Sequence, residues 1–438
     1  MAYAPSSMMW RRVGIAVVSG ALFTGLSVTS AGAIPPVVPS PPTSTPFTTP
    51  NTDNCPNRSS PAPAVDSSEV PLPGDPTPSA MAVPGIPVGG PRLGACGVVL
   101  PDDAPPLPAD ISASGWVVAD IDSGAVLAAK DPHGRYRPAS TIKMLLALVA
   151  LDELDLDKTV TATAEDAEVE GSAVGIGKNG RYTNRQLMQG LVMASGNDAA
   201  HLLARQLGGD DAAVEKMNRL ADSLGAHDTR SATPSGLDGP GMSSSPFDLA
   251  LIFHAAMKNP TFAELISTET VQFPGFPRDP AIPEDKDRPP FALANDNQLL
   301  YNYPGALGGK TGFTDDARHT YVGGADRGGR RLVVTLLGAE AQPIRPWEQA
   351  ARLLDYGFAL DRDAEVGSLT DLAASEDSSG AVLAATPEQD SAATTSSAVA
   401  SGSDRAGNTT GLRIGVGVGG TAIILVLLLW ARRLLRRP

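Results

Sequence analysis

The sequence predicts an α/β body in which a mostly antiparallel sheet is flanked by helices, several of them grouped into a helical subdomain. Three observations carry that expectation. A strand-hairpin pattern lies near residue 115, a series of helical patterns runs from residue 140 to 258, and two adjacent strand patterns after residue 310 are closed by one more helix. Composition confines this body to residues 100–362, a single folded domain of a size that suits one core.

The elements follow in chain order. SGWVVADIDSGAVLAAKD reads as two strands around the turn Asp122-Ser123-Gly124. Residues 140–154 read as a helix, and Met144, Leu145, Leu146 and Leu148 mark it for deep burial. TNRQLMQGLVMA opens on the capping residue Thr183, and a second helix, NDAAHLLARQL, follows closely. DAAVEKMNRLADSLG ends at Gly225, and Ser245-Pro246 opens the helix FDLALIFHAAMK. HTYVGGAD and RRLVVTLLGAE then read as neighbouring strands, and PWEQAARLLDYGF as the closing helix.

The flanks have a different composition. Arg11 and Arg12 precede VGIAVVSGALFTGL and the small-residue site Ala31-Gly32-Ala33, so residues 1–33 read as a signal peptide. An uncleaved anchor is the alternative; the Ala-x-Ala site followed by Ile34-Pro35-Pro36 favours cleavage. Residues 34–99, rich in Pro, Ser and Thr, and residues 363–412 have too little apolar surface to offset ordering entropy, so both read as extended, disordered linkers. Residues 413–431 contain the uncharged run IGVGVGGTAIILVLLLW, close to the lower limit of about 17 residues for a spanning helix. The basic tail at 432–438 would then lie on the cytoplasmic side, leaving the body outside the membrane on a C-terminal tether.

Bulk charge excludes some partners. The 438-residue chain carries a net charge of −14, and a nucleic-acid partner is not expected without a basic face. The only cysteines are Cys55 and Cys96; outside the cytoplasm an even pair reads as one disulfide, here closing a Pro-rich loop. With no neighbouring histidines they make a poor zinc site, and neither metal nor cofactor is expected.

Three short patterns offer chemistry. In YRPASTIKMLL, Ser140 and Lys143 stand at i and i+3 and share a helical face. A serine needs a base to become a nucleophile, and a lysine serves as one once burial or a second cation lowers its pKa. The pair alone is weak, since a capping serine beside a solvated lysine reads the same way. Lys143 nonetheless lies between Ile142 and Met144-Leu145-Leu146, where a lysine without a use is costly. In MASGNDAA, Ser195 and Asn197 fall at a break between two helices, positioned to present a hydroxyl and an amide to a cleft, or simply to connect and cap. In GALGGKTGFTDD, Lys310 supplies charge, Thr311 a hydroxyl, and Gly308, Gly309 and Gly312 room for close backbone approach; a Gly-rich turn before a strand is the alternative.

Taken together, Ser-x-x-Lys, Ser-x-Asn and Lys-Thr-Gly each occur once, in that order and widely spaced. In this respect the sequence resembles the penicillin-binding serine D-alanyl-D-alanine carboxypeptidases, in their low-molecular-mass branch. RPASTIKM, ATPSGLDGPGMSSSPFDLALI and NDNQLLYNYPGALGGKTGFT extend the likeness over residues 105–360. The resemblance implies a β-lactamase/transpeptidase-like fold and cell-wall work on a peptidoglycan stem peptide ending in D-Ala-D-Ala, with β-lactam antibiotics as acylating inhibitors. It implies Ser140 as nucleophile, Lys143 as general base, and Ser195 and Asn197 in proton relay and substrate binding. Lys310 and Thr311 would bind the terminal carboxylate, beside Gly312, and the N–H groups of Ser140 and Phe313 would form an oxyanion hole. Arg318 and His319 lie close behind, either near the cleft or as a solvated arginine and a strand histidine. The low-complexity stretch after residue 365 stands where some relatives carry a second, β-rich domain. Two alternatives share the fold: a serine β-lactamase, for which the Glu-x-x-Leu-Asn stretch between Asn197 and Lys310 is missing, and a non-catalytic penicillin-binding sensor, which would be expected to have lost a catalytic residue.

Overall fold

The computed structural model describes residues 47–370. The expected signal peptide at 1–33, spanning helix at 413–431 and basic tail at 432–438 lie outside the described residues, as do residues 34–46 and 371–412 of the expected linkers. Among the described residues no helix is long and apolar enough to cross a membrane.

The chain opens with β1 (Val98–Val99), β2 (Gly115–Asp120) and β3 (Ala125–Lys130), then a 3-10 turn at Ala139–Ile142 that leads directly into α1 (Lys143–Glu153). β4 (Thr159–Thr161), α2 (Ala164–Ala167), β5 (Arg181–Thr183), α3 (Asn184–Met193), α4 (Asn197–Gln206) and α5 (Asp210–Leu224) make the helical half. α6 (Pro246–Ala256), α7 (Pro260–Ser267), β6 (Thr270–Phe273), β7 (Phe291–Ala294) and α8 (Leu299–Asn302) lead back to the sheet. β8 (Ala306–Thr314), β9 (Arg318–Arg327), β10 (Arg330–Ala339), α9 (Pro346–Ala359) and β11 (Gly367–Ser368) complete it.

Local chemistry explains the helix ends. Thr183 and Gln186 form a reciprocal capping box at the start of α3. Ser245 caps α6 by accepting from the Asp248 N–H, with Pro246 in the first turn. Gly225 ends α5 in the left-handed conformation, at φ 82°.

The main sheet runs β1-β3-β2-β10-β9-β8, with β11 added beside β3 and every pairing antiparallel. Its period-two pattern divides two cores. Val117, Ala119, Val333 and Leu337 face a cluster shared with α1, α3, α4 and α6, including Leu145 and Phe253. Trp116, Val118, Val334 and Leu336 face the opposite way, onto Leu353 and Leu354 of α9. The sheet is thus apolar on both faces, and each large side chain removed from water contributes roughly 1.5–3 kcal/mol.

Three features depart from the sequence reading. Lys310-Thr311-Gly312 lies inside β8, the terminal strand of the sheet, where the sequence predicts no strand and a Gly-rich turn is the alternative reading. The body runs past residue 362: β11 pairs with β3, and Val366 and Leu369 are buried. The third departure is the largest. Residues 47–97, expected as a free linker, form a strap bound to the body, with Thr52, Val88 and Leu93 buried. The fully buried Arg135 anchors it, donating to the carbonyls of Ser59, Met81 and Ala82 at 2.9, 2.8 and 2.6 Å and to Asp228 at 3.0 Å. Cys55 and Cys96 are joined as a disulfide across 41 residues of chain, as expected from the pair. The strap has little regular structure of its own, so its order comes from acceptors and donors on the body. Composition cannot report those.

Candidate active site

Ser140 sits in the 3-10 turn and Lys143 is the first residue of α1, one turn later. The Lys143 Nζ lies 2.8 Å from Ser140 Oγ, 2.7 Å from Asn197 Oδ1 and 2.5 Å from the Ser235 carbonyl oxygen. Asn197 Nδ2 donates to the Glu170 carbonyl at 2.7 Å, which fixes the orientation of its amide. Lys143 therefore faces two pure acceptors and one hydroxyl. A neutral amine, with two N–H groups and one lone pair, satisfies that set completely.

Electrostatics favours the same protonation state. Lys143 is fully buried, and its pKa is pushed well below the usual lysine value by desolvation first and then by the charge of Lys310; Asp296 and Asp198 oppose the shift. Burial also lowers Lys310, again opposed by Asp296. The charge of Lys310 opposes a second charge on Lys143. Of the two lysines, the one beside the hydroxyl is displaced further.

The backbone around the site is strained. Ala139 and Ser195 adopt φ of 47° and 57°, positions that non-glycine residues hold only when their surroundings impose it. Ser195 is buried at the break between α3 and α4, and Asn197 is the first residue of α4, with Gly196 in the capping position. Asn197 thus does not cap the helix. Its side chain is turned to Lys143.

β8 supplies the other wall. A Cβ on Gly312 would stand 2.9 Å from the Ser140 backbone nitrogen and 2.3 Å from Thr320 Oγ1, so the strand passes directly against the turn that carries Ser140. Gly308 has another reason to be glycine than substrate approach: its Cβ would meet the Ile266 carbonyl oxygen at 2.1 Å, where α7 ends against the strand. Lys310 is buried, with Nζ 2.7 Å from the Thr311 carbonyl, and Thr311 Oγ1 donates to Asp296 at 2.9 Å. Phe313 is half exposed on the same strand, its ring 4.7 Å from that of His319.

Arg318 forms a two-bond pair with Glu340, at 2.9 Å on each side, and its guanidinium lies over the Phe313 ring. His319 pairs with Phe313 across β8 and β9. Among the described residues neither hydrogen-bonds to Ser140, Lys143, Ser195 or Lys310.

Several contributors carry no signal in the sequence. The Ser235 carbonyl, the Glu170 carbonyl and Asp296 belong to none of the three motifs. Asp198 follows Asn197 and accepts from the N–H groups of Val174, Gly175 and Ile176, each at 2.9 Å. Together with the Asn197 N–H on Ser172 it stitches the 170–176 loop beside Ser195.

The assembled pieces match one family. Residues 102–341 fit the peptidase S11 family, described as D-alanyl-D-alanine carboxypeptidase. The chain belongs to this family.

Among S11 carboxypeptidases, D-alanyl-D-alanine carboxypeptidase DacB2 of Mycobacterium tuberculosis is 50% identical over 275 residues, covering 62% of this chain and 90% of that protein. The crystal structure of a D-alanyl-D-alanine carboxypeptidase from the same organism is similar at a TM-score of 0.57 and 48% identity, over 62% of this chain and 99% of that one. The Streptomyces K15 DD-transpeptidase is similar at a TM-score of 0.54 and 31% identity, over 58% and 100%. These likenesses bear out the expected transpeptidase-like fold. Membership of the S11 carboxypeptidases sets the β-lactamase alternative aside.

Proposed function

We propose that this S11 carboxypeptidase removes the terminal D-alanine of peptidoglycan stem peptides through an acyl-enzyme on Ser140. The observation that carries the reading is the contact between Ser140 Oγ and a buried Lys143 amine whose proton affinity is suppressed. Lys143 takes the hydroxyl proton as Ser140 attacks the carbonyl between the two D-alanines. Ser195 relays a proton to the leaving amine, and Asn197 holds the substrate amide as well as the lysine. Lys310 and Thr311 receive the terminal carboxylate, which requires the Thr311 hydroxyl to turn from Asp296. The N–H groups of Ser140 and Phe313 stabilise the tetrahedral oxyanion, a role served by the close passage of Gly312. Water then attacks the ester, Lys143 again serving as base, and releases the shortened peptide. The steps draw on side chains and backbone donors alone.

The test uses the full chain in detergent with a fluorescent penicillin and a peptide ending in D-Ala-D-Ala. The wild-type chain is expected to form a covalent adduct on Ser140 and to release D-alanine, and Ser140→Ala to do neither. An adduct on any other residue would remove the mechanism.

The family's work on the wall side of the membrane suits a body exported by residues 1–33 and tethered by residues 413–431. On that reading the full chain sediments with membranes and needs detergent for release, whereas a chain ended at residue 412 is recovered in the soluble fraction. Soluble recovery of both chains would rule out the tether.

A further inference from the structure

Three loops that carry the site converge on one short stretch of the strap, residues 65–69. Arg137, three residues before Ser140 and almost fully buried, donates through Nε and Nη2 to the two carboxylate oxygens of Glu69 at 2.5 and 2.7 Å. Asp316, in the turn that follows β8, accepts from the Val65 N–H at 2.5 Å and from the Ser68 hydroxyl at 3.4 Å. Asp238, three residues after the Ser235 whose carbonyl holds Lys143, brings its carboxylate within 4.8 Å of those of Glu69 and Asp316. The stretch itself buries little apolar surface: Val65 is 71% exposed, and Val70, just after the stretch, 65%. Its attachments are polar, and they go to the loops around the site.

We infer that the strap is a working part of the active site, with Glu69 as a positioning residue that acts on Ser140 through Arg137. The inference rests on Ser140 being the nucleophile. Ala139, between Arg137 and Ser140, sits at a strained φ, and such a turn persists only when both of its sides are held. Downstream the holder is α1. Upstream, Tyr136 exchanges backbone hydrogen bonds with Ser244, and the next side chain is Arg137 in its two-bond grip on Glu69. A bidentate guanidinium–carboxylate pair fixes direction as well as distance. Through Val65 and Ser68 the same stretch is fastened to the end of β8. It therefore sets the spacing between the nucleophile turn and the strand that faces it.

The experiment measures penicillin acylation and peptide hydrolysis by the full chain in four forms: wild type, Glu69→Ala, Glu69→Gln and the strap control Leu72→Ala. Leu72 is 72% exposed. Glu69→Ala is expected to acylate about tenfold more slowly with KM changed less than about twofold, because the chemical step and not binding is misaligned. The labelled fraction at the end of the reaction should equal that of wild type. Glu69→Gln, which keeps one acceptor for Arg137, should recover part of the rate, and Leu72→Ala should match wild type. Wild-type acylation by Glu69→Ala would overturn the inference, as would a rate deficit accounted for by a smaller labelled fraction. If Glu69→Ala does not fold, the double variant Glu69→Met/Arg137→Met removes both charges together; slow acylation is expected there too, and a wild-type rate would overturn the inference. Failure of the wild-type chain to label at Ser140 would instead bring down the underlying mechanism, and the inference with it.

Discussion

Lys143→Ala is expected to slow acylation of Ser140 by about 10³-fold, the range of a lost general base, with the fold intact. The alanine loses a buried amine whose partners are Ser140, Asn197 and the Ser235 carbonyl. Its pH dependence makes the test sharper. The base must be neutral, so the wild-type acylation rate should rise with pH through the Lys143 pKa and level off above it. That pKa lies well below the ordinary lysine value because burial, and then Lys310, oppose the charge. The variant should lack this acid limb; an unchanged limb would assign it to another group. Stability follows in the same window. Between the folded pKa and the unfolded value of 10.5 the unfolded chain holds more protons, so stability increases with pH there. The contribution is complete above 10.5 and is lost as pH falls through the folded pKa. Thermal unfolding across pH should show that slope in wild type and a shallower one in Lys143→Ala.

The second large effect is expected at Gly312→Ala. The added methyl would stand 2.3 Å from Thr320 Oγ1, 2.9 Å from the Ser140 nitrogen and 3.1 Å from the Ala139 Cβ. None of these is the loose end of a long side chain. Thr320 is buried and donates to the Pro138 carbonyl at 2.7 Å, one residue from the strained Ala139. Either β8 or the nucleophile turn must then move by a sizeable fraction of an ångström. Misplacement on that scale costs up to about 10²-fold where geometry carries the rate. Stopped-flow acylation with a reporter penicillin, beside a melting curve, measures both consequences. A variant that acylates at the wild-type rate would show that the gap between β8 and Ser140 plays no part in catalysis.

Much of the fold was legible because its signals are local. Thr183, Ser245 and Gly225 terminate helices through contacts within a turn, and the strand alternation at 115–130 and 318–339 divides two cores one residue at a time. Two of the three motifs were legible as pairs, since Ser140 and Lys143 share a turn and Ser195 and Asn197 share a helix start. β8 was not. Its glycines read as room for a substrate backbone or as a turn, and the neighbouring α7 and β9 explain why a strand needs them there. Carbonyl partners such as Ser235 and Glu170 leave no trace in a sequence, because every residue has a carbonyl. The pairing of Asp296 with Thr311 spans 15 positions and two elements, beyond the reach of any spacing rule.

The strap recasts what its prolines mean. A proline-rich segment samples few backbone states before it docks, so little conformational freedom remains to be lost on docking. The composition that reads as unable to fold is therefore suited to being held by a few polar clasps. Arg135 provides three of them, and it depends on the strap in return. A body begun at residue 100, where composition draws the border, would leave that guanidinium without the Ser59, Met81 and Ala82 carbonyls. Recombinant fragments of this enzyme should be cut ahead of Cys55, not at the compositional border.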